Sequence, residues 1–263
     1  MRAWAQWLGE ILPGISKGGL KTGRHRAYME GMDFRIASYN VHKCMGAGWR
    51  RDPGRVIEVI NAIGADIVAL QEVDLRMGAR AAALDEALLR AHSDYVPIQM
   101  TRTGPQSLGW HGQVILMRAG FGAAEATGHG LPGFEPRGAL EARIAPAHGL
   151  PFALIAAHLG LRRGDRRRQW AALAQVMRGA APLPALAIGD FNEWSMARGF
   201  EPLGGFNVHA PGRSYPARMP VGSLDRIVVG PGLQIAEAGV FDTPLSRRAS
   251  DHLPIWAQIT GGH

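Results

Sequence analysis

The sequence predicts an α/β fold in which two β-sheets stack face to face and helices cover their outer surfaces. Strand-like segments outnumber helical ones in the 263-residue chain, and the clear helical patterns fall in two separated places. A simple alternating parallel sheet would place a helix between most successive strands. Several strand-like runs also end in polar residues, which places chemistry at one end of the predicted sheets.

Composition favours one globular domain, which we place at residues 33–263. Hydrophobic residues make up 46% of the chain, enough for a substantial core, and no linker or repeat divides the sequence. Cys44 is the only cysteine, which excludes an internal disulfide framework and a cysteine-rich zinc site. The net charge of +7 permits an anionic partner without identifying one.

Residues 1–32 form a predicted N-terminal extension whose role has three alternatives. Its apolar residues have helical spacing, but it lacks the apolar run of a signal peptide, and no segment reaches the roughly 18 apolar residues of a membrane span. The extension is a surface-seeking amphipathic helix, a helix docked on the domain, or sequence upstream of a true start at Met32. We therefore expect a cytoplasmic protein, peripheral to the inner membrane under the first alternative.

The first part of the domain begins with a strand-helix-strand pattern. Asp52 is placed to cap a helix, Pro53 occupies its first position and Gly64 ends it. The predicted elements, in order, are a strand at 34–40, a helix at 52–64, a strand at 66–72 and a helix at 79–91.

Strand patterns dominate the rest of the chain, interrupted by one clear helix at 165–179. Trp170, Leu173 and Met177 form the apolar stripe of that helix. The predicted strands lie at 95–100, 113–118, 139–144, 152–158, 185–189, 224–229, 234–241 and 253–259.

Polar side chains able to bind metal or transfer protons cluster at the ends of these strands. Taken singly, each is most often an ordinary turn residue, but together they would meet at one end of a sandwich. The set comprises Asn40, Glu72, His158, Asp190, Asn192, Asp225, Asp251 and His252.

This inventory suits hydrolysis of a phosphate ester. The oxygen ligands available from Asn40, Glu72 and Asp251 favour Mg²⁺ or Mn²⁺ over zinc. Such a cation polarises a phosphoryl oxygen while a neighbouring carboxylate or imidazole takes the proton of the attacking water. Asp225 and His252 form a plausible pair in which the carboxylate fixes the imidazole tautomer.

Seven motifs, in order between about residues 34 and 260, resemble those of the endonuclease/exonuclease/phosphatase superfamily with the deoxyribonuclease I-like fold. They are "IASYNVH", "LQEVD", "HGQVILMR", "HLGL", "GDFNEW", "SYPARMP" with "SLDRIVV", and "SDHLPIW". The resemblance implies a four-layer α/β/β/α sandwich of two mixed β-sheets flanked by helices. It also implies a divalent-metal-dependent phosphoesterase.

The resemblance assigns roles to the matching residues. Asn40 and Glu72 match the metal-side pair, and Asp190 with Asn192 match residues that orient the attacking water and contact the phosphate. Asp225 matches the partner of the catalytic histidine. The remaining match is the terminal pair of Asp251, on the metal side, and His252.

The general base is not fixed by the sequence. We favour His252 as the base and Asp190 as an orienting or metal-linked carboxylate. His158 resembles the histidine of superfamily branches that include sphingomyelinases and inositol-phosphate phosphatases, where it would protonate the leaving oxygen or bind a non-bridging one.

Three further residues are expected to contact the substrate. In an extended strand His42 would project to the same side as Asn40, so we place His42 in the site and Lys43 at its rim. Arg166 shares a helix face with the apolar stripe of the 165–179 helix and is expected to reach the site.

The sequence leaves three functions open. The favoured one is a phosphodiesterase acting on a lipid head group or another small phosphodiester. A magnesium-dependent nuclease is second, because only one arginine cluster and no interleaved aromatic stripe are present to track nucleic acid. A non-catalytic binding protein on the same scaffold is third, since none of the eight site residues is missing. The sequence does not determine the oligomeric state.

Overall fold

The computed structural model describes residues 32–123, 125–146 and 149–262. Two β-sheets contain the strands, and helices lie outside them. The strands are β1 (Asp33–Asn40), β2 (Ile67–Gln71), β3 (Val96–Pro97), β4 (Val114–Met117), β5 (Phe121–Ala123), β6 (Thr127–Leu131), β7 (Arg137–Pro146), β8 (Phe152–His158), β9 (Ala185–Asp190), β10 (Asn207–His209), β11 (Asp225–Val229), β12 (Leu233–Val240) and β13 (Ile255–Gly261). The helices are α1 (Pro53–Ile63), α2 (Glu86–His92), α3 (Arg163–Gly179) and α4 (Ser246–Ala249).

Both sheets are mixed. The first has the strand order β12-β13-β1-β2-β4-β3, and β1 runs parallel to β2. The second has the order β10-β11-β9-β8-β7-β5, with β6 also paired to β7, and β8 runs parallel to β9. All other pairings in the two sheets are antiparallel.

Three apolar clusters divide the described residues into four layers. The central cluster lies between the sheets and includes Ile36 of β1 and Ile188 of β9. A second cluster joins the outer face of the first sheet to α1. The third joins the outer face of the second sheet to α3 through Trp170. The predicted four-layer α/β/β/α sandwich is therefore confirmed.

The structure confirms the residues that the sequence predicted to begin and end α1 and to form the buried face of α3. The Asp52 side chain accepts a hydrogen bond from the Arg55 N–H at 3.0 Å, which caps α1, and Gly64 ends that helix with a φ of +66°. The apolar stripe of α3 is buried against the second sheet. Burial of one face on the sheet therefore stabilises both long helices.

The structure corrects several predicted boundaries. The helix predicted at 79–91 begins only at Glu86, because Asp85 caps it while the Ala83 N–H is bonded back to Val73 in a loop. The strand predicted at 95–100 is reduced to Val96–Pro97. The short or weakly patterned elements β5, β6, β10 and α4 were not predicted.

The predicted N-terminal extension lies outside the described residues except for Met32. Met32 is buried, and its carbonyl accepts a hydrogen bond from Gly261 at the end of β13. In the described part of the chain, no helix combines the length and apolar character needed to cross a membrane.

Strand register brings the predicted polar residues to one end of the sandwich. Asn40 is paired with Gln71 across the parallel β1–β2 pair, which places the following Glu72 beside it. In the second sheet Asp190 lies between His158 on β8 and Asp225 on β11. Because strands of both sheets end here, one edge of the sandwich carries side chains from both layers.

Gly189 is required for the close packing that positions Asp190. A Cβ atom at residue 189 would lie 1.8 Å from the carbonyl oxygen of Ala157 on the neighbouring strand. We expect Gly189→Ala to lower the free energy of unfolding by about 2 kcal/mol or more, because β8 and β9 must separate to admit the methyl group. Urea denaturation measures this change.

Gly164→Ala provides the matched control. Gly164 lies in α3, and a Cβ there has no neighbour within 4 Å. Alanine should stabilise the helix at this position by about 0.5 to 1 kcal/mol. Equal effects of the two substitutions would contradict the proposed role of the Gly189 contact.

Candidate active site

A cleft at the end of the sandwich gathers all of the predicted strand-end residues except Asp225, which lies behind His252. Side chains from both sheets contribute, together with the loops that follow them. The lining residues are Asn40, Glu72, Arg76, Arg137, His158, Leu161, Asp190, Asn192, Trp194, Tyr215, Leu224, Asp251 and His252.

His252 is held between two buried carboxylates. Its Nδ1 lies 3.0 Å from Oδ2 of Asp225, and its Nε2 lies 3.5 Å from Oδ2 of Asp190. The Ser214 hydroxyl donates to the same Asp225 oxygen. Burial lowers the pKa of His252, but Asp225 and Asp190 outweigh burial and raise it. Asp225 therefore fixes the ring and turns Nε2 towards the cleft.

Asp190 is the most connected group of the site. Its Oδ2 accepts a hydrogen bond from Asn40 Nδ2 at 3.0 Å, and its Oδ1 accepts one from the Asn192 N–H at 2.9 Å. Burial raises the pKa of Asp190, and nearby Asp225 adds to the rise, while His252 opposes it. Asp190 and His252 therefore form a coupled pair suited to sharing a proton.

Asn192 closes the turn after β9. It has a φ of +50°, a left-handed conformation that asparagine tolerates better than most residues. Its side-chain amide donates to the Leu159 carbonyl at 3.0 Å. This bond ties the turn to the segment that follows β8, so Asn192 is fixed at the floor of the cleft.

His158 stands opposite this pair, against an arginine that the sequence did not single out. Arg137 Nη1 lies 2.9 Å from Nδ1 and 2.8 Å from Nε2 of His158, while Arg137 Nη2 donates to Glu135 at 2.7 Å. Burial lowers the pKa of His158, and Arg137 lowers it further. His158 is thus a neutral imidazole, whose Nε2 is 3.4 Å from Asp190 Oδ2.

Glu72 lies in the cleft and is paired with two basic side chains. Lys43 contacts its Oε2, and Arg76 Nη2 donates to its Oε1 at 2.9 Å. Burial raises the pKa of Glu72, but His158 first, then the directly bonded Lys43 and Arg76, outweigh burial and lower it to about 2. The carboxylate therefore stays ionised at neutral pH.

The donor set fits a divalent cation. Glu72 provides an ionised carboxylate at which the Lys43 ammonium stands in for a positive ion, and Asn40 and Asp251 line the same cleft. Ligand atoms of Asp190, Asp225 and His252 also lie within 4.8 Å of one another, and Oδ1 of Asp225 is buried without a hydrogen-bond partner. In that second group His252 already contacts both carboxylates. Asn40, Glu72 and Asp251, which offer only oxygen ligands, therefore suit a hard divalent cation better than the group that contains His252.

The predicted positions of His42 and Lys43 rested on a wrong local structure. Strand β1 ends at Asn40, and His42–Cys44 form a 3₁₀ turn in which φ is +47° at His42 and +55° at Lys43. His42 Nδ1 is 3.2 Å from the Met45 carbonyl and 3.6 Å from Asp251 Oδ1, so it borders Asp251 instead of lining the cleft. Lys43 turns inwards onto Glu72 instead of lying at the rim.

Arg166 faces the domain as predicted but does not reach the cleft. Its Nε donates to Glu193 at 3.1 Å, and its Nη1 donates to the Leu161 carbonyl at 2.5 Å. The guanidinium is buried in these contacts. Arg166 therefore holds the segment after β8 against the segment after β9.

Sequence reasoning missed Arg76, Arg137 and Trp194 as cleft residues. Arg137 reaches the site because the next residue, Gly138, pairs with His158 between β7 and β8. Its sequence context, "EPRGAL", carries no motif that predicts this register. Tyr215 lies in the loop that carries the "SYPARMP" motif, and its ring centroid is 4.8 Å from that of His252.

Comparison with known proteins gives consistent matches across most of the chain. Residues 37–252 match the Endonuclease/Exonuclease/phosphatase family. The Escherichia coli (strain K12) protein YbhP is 29% identical over 248 residues, which cover 86% of this chain and 96% of YbhP.

Solved structures share the fold. An endonuclease/exonuclease/phosphatase family protein from Bacteroides thetaiotaomicron has a TM-score of 0.71 and 18% identity, covering 89% of this chain and 99% of that chain. The mannosyl-6-phosphatase of the same species has a TM-score of 0.70 and 18% identity, with 86% and 99% covered.

The Glu72 environment predicts a specific pH dependence of stability without added metal. The pKa falls from 4.5 to about 2 on folding, so the carboxylate stabilises the fold above pH 4.5 and loses this effect as the pH falls towards 2. In EDTA, Glu72→Gln should lower the free energy of unfolding by about 1 to 2 kcal/mol at pH 7, less than the full pKa shift implies, because neutral His158 contributes no charge at that pH. Urea denaturation should show the difference from the unmodified protein shrinking below pH 4.5.

Glu58→Gln is the control, because Glu58 is exposed on α1. It should change stability little at any pH. A Glu72→Gln effect that persists undiminished at low pH would show that ionisation of Glu72 is not its source.

Proposed function

Because the chain belongs to the Endonuclease/Exonuclease/phosphatase family and is a metal-dependent phosphoric ester hydrolase, we propose that it is a phosphodiesterase for a lipid head group or another small phosphodiester. The observation that carries this proposal is the single cleft that unites the Asp190–His252 pair with Glu72, Asn192 and His158. These groups supply proton transfer, cation binding and phosphate contacts within one cleft.

Asn40, Glu72 and Asp251 are the proposed holders of Mg²⁺ or Mn²⁺. When held there, such a cation would polarise a phosphoryl oxygen and offset charge as the ester is attacked. Glu72 is suited to this role because its carboxylate is ionised and already binds positive side chains. Lys43 contacts Glu72 Oε2 and would have to leave that oxygen for a cation to bind it.

The Asp190–His252 pair takes the proton of the attacking water in this proposal. Asp225 holds His252 through Nδ1, so Nε2 faces Asp190 across 3.5 Å. The proton is stabilised on His252, because the imidazolium then lies between the carboxylates of Asp225 and Asp190. Asn40 and the Asn192 N–H keep Asp190 in its orientation through their hydrogen bonds.

Arg137 and His158, which lies beside Asp190, are the proposed contacts to the phosphate. Arg137 is buried and held by Glu135, so its charge is oriented before substrate arrives. A guanidinium suits phosphate oxygens because it offers two parallel donors. Neutral His158 binds a non-bridging oxygen or faces the leaving group.

Exposed apolar side chains around the cleft favour a lipid substrate over a purely soluble one. Trp194 and Leu161 line the cleft while 58% and 62% of their surfaces remain exposed. Met219 and Val221 are exposed on the loop before β11. Strand β11 begins at Asp225, which pairs with the cleft residue Asp190, so this loop reaches the cleft end of the sheet. Arg218 is exposed beside them, so this rim combines apolar groups with positive charge, as a contact with anionic lipid requires.

Bis-p-nitrophenyl phosphate with Mg²⁺ is the primary test of the chemistry. His252→Ala and Asp190→Ala should each reduce kcat/KM by about 10² or more, because each removes half of the proton-accepting pair. His92→Ala is the matched control, since His92 lies at the end of α2. Undiminished hydrolysis in both active-site variants would refute the assignment.

A panel of substrates separates the alternatives. p-Nitrophenyl phosphate tests monoester hydrolysis, the activity in the name of the mannosyl-6-phosphatase that shares the fold. Plasmid nicking tests the nuclease alternative, whose rate should fall steeply as salt rises. Faster turnover of plasmid DNA than of phospholipid head groups would replace the lipid proposal with a nuclease.

Vesicle binding tests the apolar rim. Met219→Ser combined with Val221→Ser should weaken sedimentation with phosphatidylglycerol-containing vesicles by about tenfold or more, because two apolar side chains are lost from the contact. Hydrolysis of bis-p-nitrophenyl phosphate should be unchanged. Val96→Ser is the control, because exposed Val96 pairs with Met117 at the other end of the first sheet. Equal binding by all three proteins would argue against a lipid contact at this rim.

A further inference from the structure

A second cavity adjoins the catalytic cleft and has no part in the chemistry described above. It shares Glu72, Arg76, Arg137 and His158 with the cleft, so the two spaces meet along one wall. Its far wall contains Arg80 and His111. A group bound there would lie beside the phosphate held in the cleft.

Arg80 shares the cavity with Asp74, whose carboxylate accepts hydrogen bonds from the Leu108 and Gly109 N–H groups. Arg80 Nη1 donates to His111 Nδ1 at 3.2 Å, and the Arg80 carbonyl accepts a hydrogen bond from the Ser107 hydroxyl at 2.8 Å. Burial lowers the pKa of His111, with Arg80 adding to the effect, so this imidazole accepts without neutralising the arginine. Within the described residues, Arg80 forms no ion pair.

The other two arginines of the cavity, Arg76 and Arg137, are each paired with a carboxylate. Arg137 is paired with Glu135 through two hydrogen bonds, and Arg76 is paired with Glu72. A cation bound at Glu72 would neutralise the carboxylate that Arg76 now pairs with. Arg76 would then keep only its longer contact with Glu135, 3.9 Å away. The cavity contains three arginines and the carboxylates of Glu72, Asp74 and Glu135, so the cation would make its net charge positive.

Both residues of the Arg80–His111 contact adopt an unfavourable backbone conformation. Their φ values are +50° and +47°, in the left-handed region that non-glycine residues rarely occupy. Such strain persists where surrounding contacts hold it, and it is common at ligand-binding positions. The strained backbone at Arg80 and His111 is therefore a further sign that this cavity binds a ligand.

We propose that this cavity is a second anion-binding subsite, in which Arg80 and Arg76 bind a phosphate or carboxylate group. The inference deepens the proposed function: the preferred substrate is a phosphodiester with an additional anionic group on the portion that enters this cavity. Arginine donors recognise either anion through paired hydrogen bonds. His111 is a positioning residue that orients Arg80.

The direct test is binding of inorganic pyrophosphate to the full chain in EDTA, measured by calorimetry; without a cation Arg76 stays paired with Glu72, so this condition isolates the contribution of Arg80. Arg80→Gln should weaken binding by about tenfold or more, because a charged donor pair is lost, whereas Arg80→Lys should retain part of the affinity. Arg90→Gln is the control, since Arg90 is exposed on α2 and pairs with Glu86. Equal pyrophosphate affinity in the unmodified protein and Arg80→Gln would overturn the subsite.

The kinetic test compares two p-nitrophenyl phosphodiesters in Mg²⁺, one bearing an additional phosphomonoester group. Arg80→Gln should raise KM for the doubly charged ester by about tenfold and leave bis-p-nitrophenyl phosphate unaffected. Equal changes for both esters would overturn the substrate preference. If neither ester is hydrolysed while pyrophosphate binding still depends on Arg80, the proposed phosphodiesterase fails and the subsite stands.

Discussion

The hydrogen bond between Asn40 and Asp190 joins the two sheets at the point on which the cleft depends. Asn40 ends β1 of the first sheet, and Asp190 ends β9 of the second, 150 positions away in sequence. Both side chains are buried, so loss of this bond would leave polar groups without water and would carry a large penalty. The bond therefore fixes the relative position of the two sheets at the cleft. It also fixes the separation between Asn40, a proposed cation ligand, and Asp190, a proposed proton-transfer residue.

The sequence predicted this end of the molecule well because its signals are local. An apolar run that ends in Asn, His or Asp identifies both the strand and the side chain at its end, and parallel strands bring those ends together. Arg137 could not be found in this way, since its place depends on the β7–β8 register. His42 was misplaced for the opposite reason: extrapolating strand alternation beyond Asn40 ignored the 3₁₀ turn that follows. Arg166 shows that a correct inward-facing prediction does not determine which partner a buried cation meets.

Carboxylates and cations alternate along the cleft and account for its stability before substrate binds. Glu72 lies between Lys43 and Arg76, and His252 lies between Asp225 and Asp190. Buried charge of one sign would be costly, but each group here has an oppositely charged neighbour within contact distance. The same arrangement constrains the proposed function, because a divalent cation at Glu72 would have to displace Lys43 and Arg76.

That displacement links the cleft to the adjoining cavity. Arg76 contacts Glu72 on one side and lies 3.9 Å from Glu135 on the other, so any change in charge at Glu72 alters the balance at both. Arg137 is shared in the same way, with His158 towards the cleft and Glu135 behind it. In the proposed function, cation binding and recognition of a second anionic group would be coupled, since the cation would bring positive charge to the cavity and release Arg76 from Glu72. Substrate selection by this route requires no movement of the sheets, only exchange of partners among side chains that line both spaces.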